Sequence, residues 1–314
     1  MCSLLIKTYL EPAIMDYKDS SFDEYQLLSL FIFVDDACAL MRCWAEQHWL
    51  STETKQARPR RVPQISESEI IAILIFYHYS GYKCFQYYYK SLVLNDLLPY
   101  FPTAPSYNRF VELIERVSLP MSLLAQITCL QAEQTGIYYL DAKALPVCHL
   151  LRQKQHKVFE GLAQKGKGSM GWFFGFKLHL VINHKGQIVN FALTTGSVAD
   201  NDKDLLVKLL SDLKGKLFGD KGYLTTLWND FYERGLKIVT KVKKNMKNKL
   251  MALQERLLLK KRPIIEAIFD ILTSVFDLQH TRHRKPQNAQ VHILASLIAY
   301  QCCPQKPAID ITKI

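Results

Sequence analysis

The sequence has no Cys-x-x-Cys pair, and none of its eight cysteines, at positions 2, 38, 43, 84, 129, 148, 302 and 303, has a histidine at zinc-finger spacing. A zinc or disulfide framework is therefore not expected. Scattered thiols in a chain of 314 residues fit a reducing compartment, and the cytoplasm is the expected location. Long apolar runs are also missing. The most apolar stretches, Leu27 to Val34 and Ile70 to Phe76, fall short of the about 20 residues that a bilayer demands, so no membrane partner is expected. Met1 to Leu10 has one lysine and lacks the apolar core of a signal peptide. Met1 to Ile14 carries neither a capping pattern nor a charge feature and is expected to be dispensable, with Met15 as an alternative initiator. Internal repeats and low-complexity tracts are absent.

Acidic residues are scarce in one part of the chain. Met1 to Leu130 holds 11 Lys and Arg against 14 Asp and Glu, whereas Gln131 to Ile314 holds 29 against 15. The whole net charge of +11 thus comes from the C-terminal part, which implies a polyanionic partner, nucleic acid above all. With 49% hydrophobic and 22% charged residues, ordinary globular folding applies.

Two helical blocks come first. Tyr25 to Trp49 has a broad apolar face, and Ser66 precedes Glu67, Glu69 and an apolar run to Tyr79, an N-capped helix with acids in its first turn. Between them lies the basic, proline-bounded segment Lys55 to Pro63. A helix beginning near Ser106 follows the aromatic segment Tyr82 to Tyr89, and residues 1–130 are read as a helical N-terminal region, a candidate DNA end-binding module.

From Gly136 the pattern becomes strand-like. Ile137 to Leu140 is a short strand expected to end at Asp141, and Trp172 to Ile182 and Gln187 to Thr194 flank the turn Asn183-His184-Lys185-Gly186. A helix over Leu205 to Leu213, a strand Lys216 to Phe218 running into Gly219-Asp220, a helix Thr225 to Arg234, a strand Lys237 to Val242 and a helical region Pro263 to Phe276 complete the order. The series βββαβαβα is that of a ribonuclease H-like fold, so residues 131–314 are expected to form a mixed five-stranded sheet flanked by helices. Asp141 and Asp220 then follow strands, and Glu266 lies in the last helix. Hard oxygen ligands from three elements suit Mg²⁺, and two such ions about 3.5–4 Å apart clamp an in-line displacement at phosphorus. One Asp after a strand is usually a solvated turn residue; three acids in this order point to metal chemistry.

The stretches Tyr138-Tyr139-Leu140-Asp141-Ala142-Lys143, Gly219-Asp220-Lys221-Gly222-Tyr223 and Arg262-Pro263-Ile264-Ile265-Glu266 resemble the three catalytic boxes of DDE insertion-sequence transposases. The resemblance runs from Phe33 to Tyr300 and is closest to the 982 family of bacterial insertion sequences. It implies two ions per site, Mg²⁺ with Mn²⁺ able to substitute, with Asp141 bridging both, Asp220 on one and Glu266 on the other. It also implies that Arg262 contacts DNA phosphate, that double-stranded DNA is the partner, as terminal inverted repeats and as target, and that a homodimer or larger assembly forms on DNA. Related groups place a lysine seven residues after the Glu, where this sequence has Thr273; that role falls to Arg282, Arg284 or Lys285, or is absent from this chain.

Lys237 to Arg262 contains ten basic residues and one acid, Glu255; Lys241, Lys243 and Lys244 are its candidate phosphate contacts, against the alternative of a solvated helix face. Lys165-Gly166-Lys167-Gly168 is read as a mobile, DNA-touching loop. Asp200 and Asp202 lie in a region that resembles the family's loop before the first core helix, but capping explains them equally well, and His179 and His184 are read as structural. Two other functions stay open: a nuclease of the same fold without strand transfer, and a catalytically inactive DNA-binding derivative.

Overall fold

A computed structural model describes residues 15, 24–49, 64–168, 171–220, 227–240, 251–279 and 282–313. Met1 to Ile14, the basic segment Lys55 to Pro63 and Lys241, Lys243 and Lys244 lie outside the described residues. The chain divides into two compact units. The first gathers residues 1–131, 274–278 and 283–304; the second gathers 132–273, 279–282 and 305–314.

In chain order the helices before the sheet are α1 (Glu24–Trp49), α2 (Glu67–Tyr77), α3 (Phe85–Tyr88), α4 (Tyr107–Leu113) and α5 (Ser118–Gln131). A π-helical segment, Tyr89–Asp96, continues α3, and a 3₁₀ turn, Ile114–Val117, joins α4 to α5. The second unit follows with β1 (Ile137–Cys148), β2 (Gln164–Gly168), β3 (Gly171–Asn183), β4 (Ile188–Thr195) and α6 (Lys203–Leu210). It continues through β5 (Gly215–Gly219), α7 (Trp228–Glu233), β6 (Leu236–Thr240), α8 (Leu253–Lys260) and α9 (Pro263–Ser274). The last long helix, α10 (Pro286–Cys302), belongs to the first unit.

Every element described in the first unit is helical. Ser66 starts α2 with a capping box: its hydroxyl accepts from the Glu69 amide at 3.1 Å, and its own amide donates to the Glu69 carboxylate at 2.7 Å. Beyond that turn α2 is buried from Ile70 to Tyr77, and α10 packs against both α2 and α5. Much of the aromatic segment is core. Tyr88 and Tyr89 are fully buried, their hydroxyls donating to the carbonyls of Ile73 and Pro105 at 3.0 and 2.7 Å. The helical run Tyr107–Gln131 is long and apolar enough to cross a membrane by length and composition, a property that strictly apolar stretches do not reveal. Half of its most apolar window is buried inside the protein, with Phe110, Leu113, Val117, Met121 and Leu124 in the core.

The second unit is built on a mixed sheet of six strands, not five. Its order is β2-β3-β1-β5-β6, with β4 also paired to β3. β1 runs antiparallel to β3 and parallel to β5, and β5 runs parallel to β6. The sixth strand is β2, where Lys165-Gly166-Lys167-Gly168 pairs with Gly171 to Phe174 of β3, so this run is a strand of a hairpin and not a loop. Gly166 permits the arrangement: a Cβ there would collide with the Gly196 carbonyl. β1 is also longer than expected. It passes through Asp141 to Cys148, because β3 continues to pair with it after β5 has ended.

One face of the sheet packs on α6, whose Leu205, Leu206, Leu209 and Leu210 meet Tyr138, Leu140, Val181 and Leu217 in one apolar cluster. The period of those leucines is helical, and Asp202 caps the helix by accepting from the Leu205 amide at 3.0 Å. From the other side of β1, Tyr139 stacks on Phe218 and donates to the Leu258 carbonyl of α8 at 3.2 Å.

Candidate active site

Strand pairing brings the two aspartates together. The parallel ladder between β1 and β5 ends at Leu140↔Gly219; Asp141 is the next residue of β1, and Asp220 immediately follows the end of β5. Neighbouring strands lie about 4.8 Å apart, so the two side chains leave the sheet at adjacent positions. Asp141 remains paired on its other side, opposite Leu180 of β3, which fixes its backbone.

The third acid comes from a helix start. Pro263 opens α9, where its missing amide costs nothing, and Glu266 falls in the first turn. Arg262 immediately precedes the helix and links the two elements. Its Nη1 lies 3.3 Å from Asp141 Oδ2, and its Nη2 donates to Glu266 Oε1 at 2.6 Å. Side chains of Arg262 and Asp141 are 22% and 23% exposed, so this pairing is far from bulk solvent on most sides, whereas Glu266 is half exposed.

Burial pushes the Asp141 carboxyl above its ordinary range. A hydrogen bond from the Ala142 amide at 2.9 Å and the Arg262 charge pull it down, and the charges of Glu266 and Asp220 push it up. The three acids are thus near enough to feel one another. Among the described residues, however, no three His, Cys, Asp or Glu side chains are gathered tightly enough to hold a metal ion. The donor set is all oxygen and strongly anionic, which fits a hard divalent cation, and the Arg262 guanidinium supplies the positive charge between two of its members.

Sequence reasoning missed two neighbours. Lys143, two residues beyond Asp141 on the same face of β1, places Nζ 3.9 Å from Asp270 and 5.8 Å from the Phe269 ring centroid. Asp270 lies one helical turn after Glu266, so the spacings i+2 on a strand and i+4 on a helix were the available signals. The other candidates are placed as follows. Thr273 donates back to the Phe269 carbonyl at 2.6 Å. Arg282 is exposed in the second unit; Arg284 is exposed in the first, where Lys285 pairs with Glu115 at 2.8 Å. In the basic run, Glu255 is buried and takes Lys237 at 2.6 Å and Lys216 at 3.3 Å, which together hold its carboxyl below the usual range.

Asp200 pairs with the buried Lys177, Nζ to Oδ1 3.0 Å, and Lys177 also donates to the Val198 carbonyl at 2.9 Å. Asp200 therefore anchors the segment before α6, while Asp202 caps that helix. His179, fully buried on β3, has Nε2 3.0 Å from the Thr194 hydroxyl, and burial pushes its imidazole down to about 4. It is a neutral sheet residue at physiological pH.

Residues 131–286, which contain all three acids and Arg262, match the family model described as a transposase DDE domain. This match supports a DDE transposase, a class of metal-dependent nucleic-acid-processing enzymes with DNA as partner. Comparison with curated proteins gave no match.

Proposed function

We propose that this chain is the transposase of a bacterial insertion sequence, akin to the 982 family, with a ribonuclease H-like catalytic domain. It cuts DNA at the element's terminal inverted repeats and joins the freed 3′ ends to target DNA. The observation that carries this reading is the placement of Asp141 and Asp220 directly after Leu140↔Gly219, with Glu266 tied to Asp141 through Arg262.

Asp141, Asp220 and Glu266 would hold two divalent ions, Mg²⁺ or Mn²⁺. When bound, the ions supply activation of the attacking oxygen and neutralisation of charge at phosphorus. Water serves as nucleophile for cutting and the DNA 3′-hydroxyl for joining, so no side chain need form a covalent bond to DNA. Arg262, released from the carboxylates it now bridges, is positioned to hold a DNA phosphate beside them. Lys241, Lys243, Lys244, Arg282 and Arg284 serve as further contacts to DNA phosphates, and the helical N-terminal residues 1–130 take the element ends. A homodimer or larger assembly pairs the two ends.

The test is incubation of the full chain with labelled DNA carrying the element's own ends, with Mg²⁺. Cleaved ends and strand-transfer products are expected; cleavage without joining would reduce the protein to a nuclease, and metal-independent cleavage would sink the reading.

A further inference from the structure

The second unit carries a pocket of about 720 Å³ that the acids do not use. It lies at the far end of β1 and is lined by Pro146, Cys148, Arg152, His156, Trp172 and Phe173, among others. From Asp141 to Pro146 the strand advances about 17 Å, roughly the rise of five base pairs. Its volume falls within the about 300–1,000 Å³ of small-ligand pockets.

Trp172 sets the chemistry. It is 57% exposed on the β2–β3 hairpin, an unusual place for the largest aromatic side chain. Lys165, on the paired strand, holds Nζ 4.7 Å from its ring centroid. The surrounding segment, residues 149–168, contains Arg152, Lys154, Lys157, Lys165 and Lys167 against Glu160 alone. A largely apolar lining that includes Arg152 and an aromatic face, with Lys165 on the Trp172 ring and Lys167 opposite Trp172 in the strand register, matches a flat, π-rich group attached to phosphate. It is poorly matched to an apolar peptide, which would bring no charge to meet Arg152 and Lys165.

We propose that this pocket receives an unstacked base of a DNA strand, with the base against Trp172 and the adjoining phosphates among Arg152, Lys165 and Lys167. Stacking on an aromatic face is indifferent to base identity, and the cations track the backbone. The proposal rests on the reading of DNA as substrate and names where that substrate leaves duplex form.

The test uses the full chain and a short labelled single-stranded DNA oligonucleotide, followed by anisotropy. Trp172→Ala should weaken binding about tenfold and Trp172→Phe should keep most of it. An otherwise identical abasic oligonucleotide should bind weakly and equally to all three proteins, whose thermal midpoints should agree. Equal affinity of wild type and Trp172→Ala for the base-containing strand would overturn the proposal. So would an equal loss on the abasic strand, or a preference for RNA of the same sequence. Asp141→Asn, assayed in parallel for cleavage, separates the two ideas: its full activity would sink the catalytic reading and leave the oligonucleotide result standing alone.

Discussion

Arg262 and Asp141, 121 residues apart in the chain, meet at 3.3 Å, and the same guanidinium reaches Glu266 at 2.6 Å. One cation thus spans two carboxylates that belong to a strand and a helix. Such an arrangement makes the acids separable from the fold, because the burial that pushes the Asp141 carboxyl up is a cost its charge imposes on the folded state.

Replacing Asp141, Asp220 or Glu266 with the corresponding amide should lower DNA cleavage at least about 100-fold, since loss of a ligand removes several kcal/mol of charge stabilisation. For Asp141→Asn the thermal midpoint should hold or rise. Gel assays of cleavage beside thermal melts check both. Ca²⁺ in place of Mg²⁺ should support DNA binding with little cleavage, and cleavage in chelator would contradict the assignment.

Stability of the second unit should fall with acid in a window set by His179. Its folded-state value of about 4 lies below the ordinary 6.5, so between those limits the unfolded chain binds the extra proton. Stability is then full above about 6.5, lost as pH falls and levelled again below about 4, for a total on the order of 3 kcal/mol. His179→Gln keeps a partner for Thr194 and cannot titrate. Urea melts across this range should show a weaker pH dependence for the variant; identical slopes would refute the argument.

Binding to duplex DNA should weaken steeply with salt, in proportion to the phosphates neutralised. Reversing charge at Lys241, Lys243 and Lys244 should lower affinity and flatten the plot of log affinity against log salt. Reversal at Lys237 should act differently, because that side chain is committed to Glu255. An unchanged slope in the triple variant would make the run a solvated face.

Gly175 pairs with Pro146 on one side and Gln164 on the other, and a Cβ there would collide with the Leu145 carbonyl. Gly175→Ala should therefore destabilise the protein by about 1–3 kcal/mol, seen as a lower urea midpoint. Cleavage per folded molecule should change less than stability.

The acid boxes stand out in the sequence because apolar runs close at Leu140 and Gly219 and Pro263 opens a helix, although β5 ends at Gly219 while β1 runs on to Cys148. What escaped the sequence depends on partners. Asp-Ala-Lys-Ala-Leu-Pro looks like the end of a strand, yet β3 pairs with it throughout, and the register slips only between Pro146 and Cys148, where proline's missing donor is tolerated. Gln164 to Gly168 has little β propensity of its own and is a strand because Gly171 to Gly175 folds back on it. The helix α10 is buried on nearly every side, so its apolar pattern reports burial without saying which unit receives it.

The distribution of the first unit over three separated segments limits how the chain can be divided. A single cut after residue 131 leaves the N-terminal helices without α10, whose Val291, Leu294, Leu297 and Ile298 are core residues, so neither fragment would be a whole folding unit. Exchange of one module by a single crossover would break the core in the same way. During synthesis all six strands emerge from the ribosome before the first unit can close, and the N-terminal helices must wait, incomplete, for α10 near the end of the chain.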